Sequence, residues 1–307
     1  MKKSSFIGVL WLAGLFWVAG TSAAWAHGVT ASATTSGAVL GVVLPLLLTA
    51  ALYFIGARRL HRRSRGGHGM RWAHAAAFVA GWVALALSLL SPLDTLSGEL
   101  FAVHMVQHEV LMLIAAPLLV LGRPLPVFLW AFPTTWRLAV GRASRARVVS
   151  RVWGELTRPL TAWGLHALAL WVWHTPRLFD AALVNSTLHD FQHFSFLATA
   201  LLFWSTLLHA RAREAQGAAV LYLFTTTVHT GVLGALITFA AHPWYPAYLD
   251  TAPHWGFTAL EDQQLGGLIM WVPGSLVYVG VALALLARWI NASGRPASAS
   301  ASRISLY

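Results

Sequence analysis

An all-α, polytopic membrane protein, a bundle of seven transmembrane helices with its N-terminus outside and its C-terminus cytoplasmic, is the fold class that this 307-residue sequence predicts. Three observations predict it. The chain is 57% hydrophobic and only 10% charged, whereas about a quarter of the residues of a soluble domain are charged. Seven apolar segments, each near the ~20 residues that cross a bilayer as a helix, fall at 37–57, 72–91, 100–121, 159–175, 188–208, 218–241 and 264–287. The connections between them alternate in charge.

That alternation sets the orientation. Of the 21 basic residues, 18 lie in one set of connections, such as Arg58 to Arg71, Arg123 to Arg158, Arg211 with Arg213, and the tail. Cytoplasmic connections carry the excess of Lys and Arg, so these face the cytoplasm. The formal charge of +11 is therefore a topology signal, and binding to nucleic acid is not needed to explain it. Asp94, Glu99, Asp180, Asp190, Asp250, Glu261 and Asp262 fall on the opposite side, which makes the outer face cation-attracting. The apolar stretch 125–132, followed by arginines, reads as an interfacial segment meeting anionic membrane lipid.

Residues 1–26 read as a signal peptide: Lys2 and Lys3, an apolar core from Phe6 to Ala19, then Ala24-Trp25-Ala26 as a cleavage site. Cleavage leaves His27 as the new amino terminus, where its α-amine and imidazole form a chelate; an uncleaved first span is the plainer alternative. The expected organisation continues with a short periplasmic segment at 27–36, the transmembrane domain at 37–290, and a disordered cytoplasmic tail at 291–307 rich in Ser and Ala.

The chemistry concentrates in the third apolar segment, FAVHMVQHEVLMLIAAPLLVLG at 101–122. His104, His108 and Glu109 sit there without water to solvate them, at a cost that a partner, a proton or a metal must offset. The histidines are four apart, so a helix stacks them on one face where two imidazoles can share an ion. Met105 and Met112 lie on the neighbouring face with Glu109. His189 and His193 repeat the four-residue spacing in the fifth segment, His174 closes the fourth on the same side, and His229 lies near mid-membrane in the sixth. One such pair is as well explained by hydrogen bonding between helices as by metal; two on one membrane face favour metal.

Imidazole serves zinc and copper, and methionine sulfur moves the preference to copper. There is no cysteine, so thiolate sites and disulfides are excluded. His108-Glu109 begins a His-Glu-x-x-His motif, but Met112 stands where the second zinc ligand belongs, which sets zinc proteolysis aside. Paired membrane histidines also serve as axial haem ligands. Their gathering at one depth argues against a transmembrane electron path, so haem is the lesser expectation. A copper transporter needs polar groups continuing inward, and few follow His229.

HMVQHEVLMLIAAPLLVLGRPL at 104–125, WHTPRLFDAALVNSTLHDFQHFSFLATALLFW at 173–204 and DQQLGGLIMWVPGSL at 262–276 resemble, in order, three signatures of the CtaG family of cytochrome c oxidase assembly factors. The single-span copper chaperone that shares that name uses cysteines and is a different type. The resemblance implies a non-enzymatic, seven-helix protein of the bacterial inner (plasma) membrane, needed to build a respiratory terminal oxidase by delivering copper. It implies terminal oxidase subunits and periplasmic copper chaperones as partners. Carried over by position, His104, His108, His174, His189 and His193 match the motif histidines, and Asp262 with Gln263 matches the third signature.

Overall fold

The structure, a computed structural model, describes residues 31–63, 72–209 and 213–293. The signal peptide, His27 and the tail from Gly294 onward lie outside them. The described chain is helical throughout, as expected, apart from turns and two short 3-10 segments.

Twelve helices follow in order: α1 Ala31–Arg63, α2 Trp72–Leu90, α3 Pro92–Ser97, α4 Phe101–Gly122, α5 Pro124–Ala131, α6 Thr134–Ala143, α7 Arg147–Leu156, α8 Pro159–Trp173, α9 Pro176–Val184, α10 Ser186–Leu208, α11 Arg213–Thr238 and α12 Ala259–Ser293. Six of them contain stretches long and apolar enough to cross a membrane: α1, α2, α4, α10, α11 and α12. The segment expected to be a fourth span forms α8, which has 15 residues. At 1.5 Å per residue that is about 22 Å, less than the ~30 Å hydrocarbon core. Its bounds have local causes. Pro159 starts it without needing an N–H partner, and Pro176 opens α9 after only two intervening residues, His174 and Thr175.

α4 and α10 are the most enclosed of the six, with more than half of their apolar windows buried, while α1, α2 and α12 turn most of theirs outward. Lipid-facing helices present Leu, Val and Phe outward without penalty, as Phe54, Leu87, Leu236 and Leu283 do here. α4 is thus the central rod. Its first half, Phe101–Glu109, packs on α12, and the remainder packs on α2 and α10.

α4 is not a uniform α-helix. Val110–Ala115 form a π-helical turn, in which the Ala116 N–H donates to the Leu111 carbonyl five residues back. The next bond in that register would come from residue 117, which is proline and has no N–H. The Met112 carbonyl left over accepts the Trp204 indole N–H of α10 at 2.8 Å. A sequence-level defect in one helix thus becomes a buried link to another.

Small residues set the closest crossing. A Cβ at Gly267 of α12 would lie 2.7 Å from the Thr238 backbone nitrogen and 2.8 Å from the Gly234 carbonyl of α11. These helices make the longest contact in the described structure, and the backbones can approach so closely because neither glycine interposes a side chain.

Candidate metal centre

Five imidazoles meet where α4, α8 and α10 converge. His104 and His108 come from α4, His189 and His193 from α10, and His174 from the residue that ends α8. Ring centroids lie 4.4 Å apart for His104 and His108, 4.2 Å for His189 and His193, 5.5 Å for His104 and His189, and 6.0 Å for His108 and His174. One nitrogen from each of His104, His189 and His193 falls within 4.8 Å of the others. The Nε2 atoms of His104 and His108 are 3.0 Å apart. That is the distance of a hydrogen bond between the two rings.

The hydrogen bonds orient the rings. His104 Nδ1 lies 3.3 Å from the Ser97 carbonyl and 3.2 Å from the Tyr248 hydroxyl, whose own proton goes to Ser97 O at 2.9 Å. A carbonyl only accepts, so Nδ1 carries the proton of the neutral ring and Nε2 keeps a lone pair. His174 follows the same logic, its Nδ1 lying 2.6 Å from the Leu170 carbonyl. Fixing one ring nitrogen on a carbonyl to aim the other is how metal-binding histidines are held.

Several ring nitrogens of the group have no protein partner. His108 Nδ1 and the Nε2 atoms of His174, His189 and His193 are all buried and unpaired, although native interiors leave few such groups. His104 and His108 are 0% and 1% exposed, so bulk water does not satisfy them. Phe179 and Phe196 wall the group, their rings 4.9 Å from His104 and 4.7 Å from His108. An apolar wall makes it costly to leave these polar atoms without a partner. The nitrogens of His104, His189 and His193 lie close enough to one another for one cation to take their lone pairs.

The other candidates fall elsewhere. Met105 packs against Gly266 of α12, and Met112 joins the apolar core with Trp204 and Phe196. Glu109 is turned toward α12, where Gly274 leaves room for its carboxylate, with Oε2 unpaired. His229 accepts the Trp171 indole N–H at 3.4 Å and lies edge-on to Trp163. It neighbours His166 between α8 and α11. Asp262 accepts the Phe101 and Ala102 amides, at 2.7 and 3.0 Å.

The family model for the cytochrome c oxidase caa3 assembly factor (Caa3_CtaG) matches residues 51–292, which contain every one of these imidazoles. The chain belongs to this family. Two uncharacterized proteins, from Mycobacterium bovis and Mycobacterium tuberculosis, are each 28% identical to this caa3 assembly factor family member over 256 residues. The alignment covers 80% of this chain and 38% of each relative, so the chain spans about two fifths of their length. No solved structure matches it.

Sequence reasoning missed two tyrosines that frame the centre of this family member. Tyr248 braces His104, and the Tyr245 hydroxyl donates to the His174 carbonyl at 2.9 Å. Both come from the connection between α11 and α12, where no periodicity marks them. Burial first, and then the Asp262 and Asp180 carboxylates, push the Tyr248 phenol well up. Burial and Asp180 do the same at Tyr245. Both hydroxyls stay protonated and remain donors at ordinary pH.

Proposed function

We propose that this chain is a non-enzymatic assembly factor that holds or delivers copper for a respiratory terminal oxidase, at the imidazole group of α4, α8 and α10. The observation that carries this reading is the convergence of five buried imidazoles from three helices, with ring nitrogens of His108, His174, His189 and His193 left without a protein partner and those of His104, His189 and His193 close enough to share one ion. Imidazole donors without thiolate suit copper in an oxidising compartment, and copper is here cargo. A haem reading fits less well, because a macrocycle has no room among rings spaced 4.2–6.1 Å apart. Terminal oxidase subunits and periplasmic copper chaperones are the partners this reading requires.

The same reading takes α8 as the fourth of seven crossings. It begins beyond the arginine-rich connection and ends at His174, level with the other imidazoles, and it packs on α10 and α11 as a bundle member. The site then opens to the periplasmic side of the inner membrane.

The test replaces His104 and His108 together by leucine in the full chain. Copper per protein and oxidase activity fall, while membrane abundance is kept, because insertion depends on apolar length and flanking arginines. Full copper occupancy in this variant overturns the reading.

A further inference from the structure

At the arginine-rich end of α1, three guanidiniums gather around one indole. α5 lies directly against the last turns of α1, since a Cβ at Gly56 would run into the Val127 carbonyl. This contact sets Trp130 beside the end of α1. The Arg63 guanidinium carbon lies 5.7 Å from the Trp130 ring centroid, and that of Arg137, on α6, lies 4.3 Å from it. Arg59, one turn before Arg63 on the same face of α1, donates from Nη1 to the Ala131 carbonyl at 2.7 Å. Arg137 donates from Nη2 to Thr134 Oγ1 at 2.7 Å, and its buried Nε has no partner.

The chain supplies little to balance this charge. The ion pair found among the described residues joins Arg158 to Glu155, and the arginine-rich connections contain just one other carboxylate, Glu214. The Arg63 and Arg137 guanidiniums lie within about 10 Å of each other, roughly a Debye length, so they repel unless they share an anion. Stacking on an indole leaves the N–H edge of a guanidinium free for two-pronged binding to phosphate. Ile55, Arg59 and Arg63 form one stripe of α1, four residues apart. Ile55 is 41% exposed, and Trp136 and Leu138 of α6 are 64% and 60% exposed. Along the stripe, apolar surface gives way to cationic within about 6 Å. A phospholipid makes the same change between its acyl chains and its phosphate, whereas free phosphate has nothing to lay on the apolar side.

We propose that Arg59, Arg63, Arg137 and Trp130 form a headgroup site for an anionic phospholipid, with its phosphate on the guanidiniums and its acyl chains along Ile55, Trp136 and Leu138. None of the residues of α6 is buried, and the bound lipid ties this helix to α1 across Trp130. The site is independent of the imidazole group and of any metal.

The test measures binding of phosphatidylglycerol to the purified full-length protein in micelles of neutral detergent, with phosphatidylcholine and inorganic phosphate as comparison probes. One basic residue beside an anionic surface weighs about fivefold in affinity, so Arg63→Gln combined with Arg137→Gln is expected to weaken phosphatidylglycerol binding about 30-fold. Arg142→Gln combined with Arg151→Gln removes the same charge from exposed positions of α6 and α7 and should change the affinity by less than about twofold. Arg63→Lys combined with Arg137→Lys keeps the charge but not the planar fork, and should recover only part of the affinity. An unchanged affinity in the first pair overturns the site. Equal losses in the two glutamine pairs, or full recovery with lysine, would reduce the effect to diffuse surface charge and overturn it as well. Inorganic phosphate competing as well as the lipid would make it a free-anion site, and phosphatidylcholine binding as tightly as phosphatidylglycerol would remove the charge from the account.

Discussion

Asp262 on α12 accepts the Phe101 backbone N–H at 2.7 Å, across 161 positions of chain, and so caps the helix that carries His104 and His108. The Ala102 N–H completes the cap at 3.0 Å. A carboxylate at a helix N-terminus satisfies unpaired donors and complements the dipole. Asp262 therefore acts on the imidazoles by fixing where α4 begins.

Replacing Asp262 with alanine should destabilise the protein by about 1–2 kcal/mol, the cost of a lost cap. Copper content is expected to fall in part, together with membrane abundance. Asp262→Asn, which keeps one acceptor, should recover most of the abundance. Quantitative blotting beside metal analysis checks both, and abundance unchanged in the alanine variant would remove the cap from the account.

Tyr248→Phe deletes the hydroxyl that braces His104 Nδ1 and leaves the Ser97 carbonyl in place. Loss of a partner behind a ligand costs about 10- to 100-fold in metal affinity. Competition titration against a copper chelator should show a weakening in that range with the number of bound ions unchanged. Equal affinity in the two proteins would mean that Ser97 alone orients the ring.

Gly267→Ala places a Cβ 2.7 Å from the Thr238 backbone nitrogen of α11, where only helix separation can relieve it. Overpacking of this kind costs about 1–3 kcal/mol. The expected outcome is reduced thermal stability in detergent. The His104/His108 double variant, by contrast, should lose copper at constant stability. A stable Gly267→Ala protein would show that the α11–α12 crossing gives way easily.

Acidification should release copper. A proton and the metal compete for the same Nε2 lone pair, so affinity falls as pH drops. Imidazole protonation lies near pH 6.5 in water and lower where the ring is buried. Bound copper per protein, measured by equilibrium dialysis, is expected to decrease steadily as the pH is lowered from about 6 to about 3. Constant occupancy over that range would speak against imidazole ligation.

Reporter fusions decide whether α8 crosses. A fusion after Arg147 is expected to report cytoplasm and one after Asp180 the periplasm. The same compartment from both would make α8 a re-entrant helix and leave six crossings.

The helical character and the four-residue histidine pairs were legible because both rest on periodicity: apolar runs of bilayer length, and residues four apart on one face. Met105, Met112 and Glu109 show where that reading stops. A one-residue step turns a helix by about 100°, and only packing reveals that the face next to the histidines is the one laid against Gly266 and Gly274 of α12. His229 was placed in depth by counting along its helix, but depth does not fix azimuth, and its ring faces Trp163 and Trp171. Tyr245 and Tyr248 sit in an aperiodic connection, and their roles arise only through contacts between residues 71 to 151 positions apart. The shortness of α8 could be read from Pro159 and Pro176, since both prolines are plain in the sequence.

The π turn at Val110–Ala115 has a consequence for how α4 tolerates change. A π turn absorbs an extra residue within an α-helix, and one residue is about 100° of rotation. The half of α4 from Phe101 to Glu109 is therefore out of phase with the half that lies against α2. Removing a single residue from this turn would regularise the helix and improve its local hydrogen bonding. The two halves would then be unable to face their separate neighbours at once, and the Met112 carbonyl would be drawn away from Trp204. α4 is built like two bolts threaded through one offset collar, each half free to vary only so long as the collar keeps its pitch.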